Sequence, residues 1–337
     1  MSIFKDKTVT VYPTYGYRKD GGWAIPLRVW VHKPRRIDAV PDDLIRAVLD
    51  DEGNFNEQEV VRCRECIADF LADDDSGEEV AFRFGAGGDE FRFAEHTDAN
   101  GLVEETFHLP GHHAAGWLDV TAEVRGTLGR VHTGRGRVRL LEPEGKSVVS
   151  DIDDTIKVSE IPAGRRVILR NTFLRDYVMA EGMLERYRGL GDVSFHYVSG
   201  SPWQLFQLLH AFLVGREGFP EGTFHMKSLR KNPLDLHGFL RDLKNFLAGK
   251  EYTKEQKTAQ ISGLMDNLPG RTFTLIGDSG EFDPEVFTHL RRARPQQVEK
   301  IVIRDVVGAR TGAPERLSDV DEIIDAPLVS HGQTQFN

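Results

Sequence analysis

The sequence predicts an α/β chain in two parts. Residues 1–145 read as a mainly antiparallel, β-rich domain, with a sandwich as the packing such strands favour, and carry a helical insertion. Residues 146–330 read as a parallel sheet with helices on both faces. Three observations predict this. Alternating apolar and polar runs separated by turn residues fill most of the first part. After "EPEGK" near-continuous apolar runs alternate with helical stretches, the pattern of strands buried on both faces. The 337 residues are enough for two cores.

In the first part, "TVTVYPTYGY" and "AIPLRVWVHKP" are two β-branched runs joined by "RKDGG", a hairpin signal. Residues 41–73 follow helical spacing, with Leu44, Ile45 and Val48, then Val60, Val61, Ile67, Phe70 and Leu71. The β pattern resumes in "EVAFRFG", "EFRFAEH", "LVEETFHLP", "GWLDVTAEV" and "GRVRLLEP". The "GAGGDE" between the first two reads as a hairpin turn, because no helix follows it as a phosphate loop requires. Cys63 and Cys66 have CxxC spacing, but no second pair exists to complete a zinc site. Two reduced side chains on adjacent helical turns are expected.

In the second part the strands are "SVVSD", "VSFHYVSG", "GTFHMKS", "RTFTLIGDS" and "EKIVIRDV". The helical stretches are "TFLRDYVMAEGMLERYRGL", "PWQLFQLLHAFLVG", "LDLHGFLRDLKNFL" and "KTAQISGLMDNL". Residues 330–337 read as a polar tail. A net charge of −10 argues against a nucleic-acid binder, which needs a basic footprint. About −8 of it falls in residues 1–150, which leaves the second part open to anionic substrates. The N-terminus lacks the apolar core of a secretory signal, and no apolar run approaches the ~18 residues of a membrane span. A cytoplasmic protein is expected, with any lipid contact made from the membrane surface.

Chemistry concentrates where the strands of the second part end. "VVSDIDDTIKVSE" sets Asp151, Asp153 and Asp154 directly after an apolar strand. Carboxylates this close raise one another's pKa unless something neutralises them, so either a solvated turn or a bound cation is implied. Ser199 and Gly200 end the next strand, and Ser201-Pro202 reads as a cap and first residue of a helix, a natural phosphate seat. "LIGDSGEFD" adds Asp278 and Asp283 with Glu281 between, and Lys257 opens the helix before that strand. A carboxylate pair, a serine, a lysine and a second acidic pair in this order match a phosphotransfer site.

On these motifs residues 147–306 resemble the haloacid dehalogenase-like phosphatases, a Rossmann-like fold. More narrowly, "SDIDDTIK", "FHYVSGSPWQLF", "KTAQISGL" and "LIGDSGEFDPEVF" resemble the App1-type, lipin-related phosphatidate phosphatase catalytic domain. The proline-rich tail of fungal members is missing. The resemblance implies a Mg²⁺-dependent phosphatase that turns phosphatidate into diacylglycerol through an aspartyl-phosphate. Asp151 would be the nucleophile, and Asp153 the acid and then the base. Ser199, Gly200 and Lys257 would bind phosphate. Asp151, Asp153, Asp278 and Asp283 would form the metal site, with Glu281 an alternative to Asp283 and Asp154 a turn residue. The segment "KVSEIPAGRRVILRN" reads as a short flap, so the site is open, which suits a headgroup presented by a membrane. Arg165, Arg166, Arg170, Lys227, Arg230 and Lys231 would then face an anionic surface. Two other readings stay open: the same chemistry on a soluble phosphoester or phosphoprotein, and an inactive phosphatidate-binding module, against which the intact Asp151 and Asp153 weigh.

Overall fold

A computed structural model describes residues 7–34, 37–40, 45–46, 55–85, 90–126, 129–228 and 250–326, with only the backbone placed at 39 and 250–253. The expectations for Leu44, Val48, Gly87 and Gly88 of "GAGGDE", Arg230, Lys231, the helix in "LDLHGFLRDLKNFL" and the polar tail lie outside these residues.

The N-terminal strands are β1 (Thr8–Val11), β2 (Thr14–Lys19), β3 (Gly22–Lys33), β4 (Asp73–Asp74), β5 (Glu79–Phe84), β6 (Phe91–His96), β7 (Leu102–Leu109), β8 (Gly116–Arg125) and β9 (Val131–Leu141). The predicted first hairpin is β2–β3. Its turn is Asp20-Gly21, both with positive φ (50° and 77°), the geometry that matches the twist of paired strands. β5 and β6 pair antiparallel with Phe84 opposite Phe91, so the chain reverses between them as expected. Antiparallel pairing prevails, with β2 and β9 parallel. Hydrogen bonds join these strands into one nine-stranded sheet rather than two separate ones. Alternate residues of β1, β3, β5, β7, β8 and β9 bury Val9, Trp23, Phe82, Phe107, Val120 and Val138 in one core.

The helical insertion is α1 (Glu57–Phe70), opened by a capping box. The Asn56 side chain accepts from Glu59 N, and the Glu59 carboxylate accepts from Asn56 N. Its buried face carries Cys63, Cys66, Ile67 and Phe70, while Val61, placed on the apolar face by spacing, is exposed. Both cysteines are free, and burial pushes their thiols up to about 12. At neutral pH no thiolate is present to bind metal or attack, in keeping with two reduced packing residues.

The second part contains β10 (Gly145–Asp151), β11 (Ser194–Pro202), β12 (Gly222–Lys227), β13 (Arg271–Asp278), β14 (Val298–Asp305) and a short β15 (Glu322–Asp325) that the sequence patterns did not reveal. All are parallel, in the order β12-β11-β10-β13-β14-β15. Successive residues split between two cores. Val148, Tyr197 and Ile276 join a cluster shared with α1, α2 (Arg165–Phe173), α3 (Met183–Arg188) and α4 (Phe206–His210). Val149, Val198 and Leu275 join a second cluster with α5 (Lys250–Asn267) and α6 (Asp283–Ala293). Each face is covered because each strand is apolar on both sides. The insertion therefore packs with the helical layer over one face of the parallel sheet, Phe70 against Phe173 of α2, although it interrupts the β-rich part in sequence.

Helix boundaries differ from expectation. The flap is half helical: α2 begins at Arg165, and "TFLRDYVMAEGMLERYRGL" breaks between α2 and α3. α5 starts seven residues before Lys257, which therefore lies inside the helix rather than opening it. Ser201 does not cap a helix. The strand runs on through Pro202, and the following 3₁₀ turn, Trp203–Leu205, has no side-chain cap.

A buried polar network lies within the second sheet. His196 Nδ1 and Thr223 Oγ1 are 2.7 Å apart, Thr223 Oγ1 and His225 Nε2 2.9 Å, and Arg271 Nε donates to Ser147 Oγ at 3.0 Å. Burial pushes the pKa of His196 well below its usual value and that of His225 down to about 4. The unfolded chain takes up these protons near pH ~6.5 and the folded chain only at lower pH. Stability is therefore complete above pH ~6.5 and falls as the pH drops, by up to about 2 kcal/mol at pH 5 for a histidine that stays neutral in the fold. Thermal melts of His225→Gln and wild type between about pH 7 and 5 test this. The variant should lose less stability over that range, and parallel pH profiles would exclude a histidine contribution.

Candidate active site

β10, β11 and β13 are neighbours and parallel, so Asp151, Ser199 and Asp278 come out on the same edge of the sheet. Asp151 and Asp278 are buried, as is Asp283 in the first turn of α6. Carboxylate oxygens of these three lie within 4.8 Å of one another. Lys257 Nζ donates to Asp151 Oδ1 at 2.8 Å and to Asp283 Oδ1, and stands 4.0 Å from Glu281 Oε2. Thr155 Oγ1 donates to Asp151 Oδ2 at 3.1 Å.

The loop after β13 is built to bring Asp283 back. Asp278 N donates to Asp283 Oδ2 at 3.2 Å. A Cβ on Gly277 would stand 2.2 Å from that same oxygen, so the approach requires glycine. Asp278 Oδ1 accepts from Gly280 N at 2.6 Å. The Arg316 guanidinium holds the carbonyls of Ser279 and Glu281, and Ser279 Oγ donates to Asp305 Oδ1 at 2.7 Å.

Electrostatically the cluster is short of positive charge. Burial pushes the Asp151 carboxyl well up against the pull of Lys257, with Asp283 adding to the rise. Burial, then Asp283 and Asp151, does the same to Asp278. Asp278 Oδ2 is buried and has no hydrogen-bond partner. An unsatisfied carboxylate oxygen facing two others is costly unless a cation meets it. The donors are all oxygen, which suits a hard divalent ion. The residues fit such a metal.

Asp153 does not join this group, contrary to the expected metal set. β10 ends at Asp151, and the chain turns: Ile156 N and Lys157 N both donate to Ile152 O at 2.9 Å. The turn carries the Asp153 carboxylate away from the strand's line and onto other partners. Oδ1 accepts from Lys157 Nζ at 2.7 Å and Ser159 Oγ at 2.6 Å. Oδ2 accepts from Ser201 Oγ at 3.1 Å and Ser199 Oγ at 3.3 Å. Although burial opposes it, Lys157 and these hydroxyls bring the pKa down to about 2, so Asp153 is an anion in the free protein. Asp154 is indeed a turn residue, with φ of 57°. Its carboxylate accepts from the backbone N–H of Ser159, Glu160 and Ile161, each at 2.7 Å, and so folds the flap.

Of the expected phosphate ligands, Ser199 and Lys257 are buried at the cluster and Gly200 is half-buried between the two serines. Ser199 Oγ also accepts from Ser201 N at 2.9 Å. Lys227 is corrected: it is the last residue of β12, 1% exposed, and burial lowers its amine to about 8. It belongs to the site's interior and not to a basic outer face. Thr155, Lys157, Ser159 and Ser201 were missed. Each lies within a quoted motif, but nothing in the spacing says which carboxylate it meets.

Residues 146–305 match the family model of the catalytic domain of phosphatidate phosphatase APP1. That stretch is thus similar to App1-type catalytic domains over a little under half of the chain. Phosphatidate phosphatase APP1 of Saccharomyces cerevisiae is 31% identical over 194 residues, 55% of this chain and 31% of that protein. An uncharacterized protein of Schizosaccharomyces pombe is 29% identical over 174 residues, 50% of this chain and 27% of that one. The chain thus spans under a third of the length of either relative. Among solved structures, a sialyltransferase from Photobacterium damsela matches at TM-score 0.20 with 9% identity, over 67% of this chain and 37% of that one, and carries no argument. The matched stretch runs from β10 to the end of β14 and holds Asp151, Asp153, Ser199, Lys257, Asp278 and Asp283. No described helix is long and apolar enough to cross a membrane.

Proposed function

We propose that residues 146–330 form a haloacid dehalogenase-like catalytic domain that hydrolyses a phosphomonoester with Mg²⁺ bound, and that residues 1–145 are an accessory domain. The substrate favoured is phosphatidate, released as diacylglycerol at a cytoplasmic membrane surface. The observation that carries the reading is the unpartnered Asp278 Oδ2, on a buried carboxylate grouped with Asp151 and Asp283, an all-oxygen set that fits a divalent cation.

Asp151, Asp278 and Asp283 would hold the ion, which when bound offsets the carboxylates and polarises the phosphate. The chain's own groups account for the rest. Asp151, aligned by Lys257 and Thr155, attacks phosphorus, and the bond to the leaving alkoxide breaks. Ser199 and the Gly200 N–H take non-bridging oxygens, with the Lys257 ammonium beside them, where charge spreads in the transition state. When Ser199 turns to the phosphate, Asp153 Oδ2 loses a donor and gains an anionic neighbour. Its proton affinity rises on substrate binding. Asp153 then protonates the leaving oxygen and later takes a proton from the water that splits the aspartyl-phosphate, giving phosphate and free Asp151.

The substrate is tested by Mg²⁺-dependent phosphate release from phosphatidate vesicles and from soluble phosphomonoesters. Arg166 is exposed and Arg165 half-buried at the start of α2. With Arg165 and Arg166 both changed to Gln, turnover on anionic vesicles should fall severalfold, and high salt should mimic the loss. Soluble-ester turnover should hold. Cleavage of soluble esters but never of phosphatidate would favour a soluble or protein substrate. Vesicle binding without any turnover would favour a binding module.

A further inference from the structure

The two oxygens of Asp153 have different surroundings. Oδ2 faces Ser199 and Ser201, on the loop that seats the phosphate. Oδ1 faces away from that loop, into a pair formed by Lys157 Nζ and Ser159 Oγ, themselves 2.5 Å apart. Lys157 is 2% exposed, and its amine lies 4.8 Å from the centre of the Tyr177 ring. Its backbone is pinned from both sides: Asp154 N donates to Lys157 O at 2.7 Å, Val158 N to Val178 O at 2.8 Å, and Ala180 N to Ile156 O at 2.7 Å. Burial, the Ser159 hydroxyl and the Tyr177 ring hold the amine against Asp153 Oδ1.

A buried ammonium–carboxylate pair is a weak source of stability, since apolar residues of the same shape pack as well or better. Fold alone does not explain why lysine stands here. We propose that Lys157 and Ser159 are positioning residues: they clamp Asp153 Oδ1 so that Oδ2, the oxygen that exchanges protons, points at the leaving group. The clamp rests on the reading of Asp153 as acid and base.

The test compares kcat/KM of the full chain with Mg²⁺ on two esters, because that ratio reports the steps through loss of the leaving group and leaves out the water step, in which Asp153 serves both esters alike. One is p-nitrophenyl phosphate, whose leaving oxygen departs without a proton. The other is an alkyl phosphate, either phosphatidate in micelles or glycerol phosphate, whichever wild type turns over. Asp153→Asn should lose far more on the alkyl ester. Lys157→Met should show the same split in kcat/KM, about 100-fold on the alkyl ester and less than about 10-fold on the aryl one. Ser159→Ala should follow in the same direction to a smaller extent. Equal losses of kcat/KM on both esters in Lys157→Met, or no loss on either, overturn the clamp while leaving Asp153 as acid. Absence of the split in Asp153→Asn overturns the acid reading and the clamp with it. If Lys157→Met fails to fold in a thermal melt, Ser159→Ala decides: an alkyl-selective loss supports the clamp, and a uniform loss or none overturns it.

Discussion

Asp151→Asn should lower turnover by at least about 10⁴-fold on every phosphomonoester, because it removes the nucleophile and its attack cannot be shared. The fold should survive. Asp151 is a buried carboxyl beside Asp283 and Asp278, and burial already disfavours its charged form. An amide of the same shape relieves that repulsion, and Lys257 keeps Asp283 as its partner. The melting temperature of the metal-free variant should equal or exceed that of wild type. Rates from stopped assays, set beside a thermal melt, separate the two effects. Turnover within about tenfold of wild type would remove Asp151 from the reaction.

The second large effect is metal removal. Chelation should abolish phosphate release, and Mg²⁺ should restore it. Ca²⁺ should restore it poorly, because its larger and looser shell misplaces groups that Asp151, Asp278 and Asp283 hold close. The same site should be visible without turnover. Mg²⁺ should raise the melting temperature of the metal-free protein, as a ligand that binds the folded state does. In Asp278→Asn that shift should shrink, and the Mg²⁺ needed for half-maximal rate should rise about 10- to 100-fold. Full activity in excess chelator, or an equal thermal shift in Asp278→Asn, would contradict a site built on the unpartnered Asp278 Oδ2.

How much was legible in the sequence depends on the range of the interaction involved. Apolar runs ending in Asp151, Ser199 and Asp278 marked the ends of β10, β11 and β13, because a strand buried on both faces leaves a local hydrophobic signature. The acidic cluster followed from where those ends fall, and Lys257 from its place in the order of the motifs, although it lies inside its helix rather than at the start. The partners of Asp153 did not follow. Two residues apart on a strand, Asp151 and Asp153 would share a face, but the turn at Ile152–Lys157 begins between them and sends Asp153 to Lys157 and Ser159. Ser201 followed by proline imitates a helix cap, yet its hydroxyl is spent on Asp153 while the strand continues. Lys227, in a basic stretch, looks solvated until the packing around the end of β12 buries it. β15, four residues long with a half-buried pattern, carries too weak an apolar signal to stand out. In the N-terminal part, the Asp20-Gly21 turn was readable because it is local, whereas the joining of nine strands into one sheet is not.

The central claim is that catalysis passes through a covalent phosphate on Asp151, and trapping that intermediate tests it most directly. Wild type and Asp153→Asn would be mixed with substrate and Mg²⁺, quenched in acid, reduced with borohydride and digested for mass spectrometry. Reduction of an aspartyl-phosphate leaves homoserine in place of aspartate. The account predicts homoserine at position 151, more of it in Asp153→Asn if the water step is the slower one to suffer, and none in Asp151→Asn. Turnover with no reduced residue at 151, or with the phosphate carried on another side chain, would contradict it.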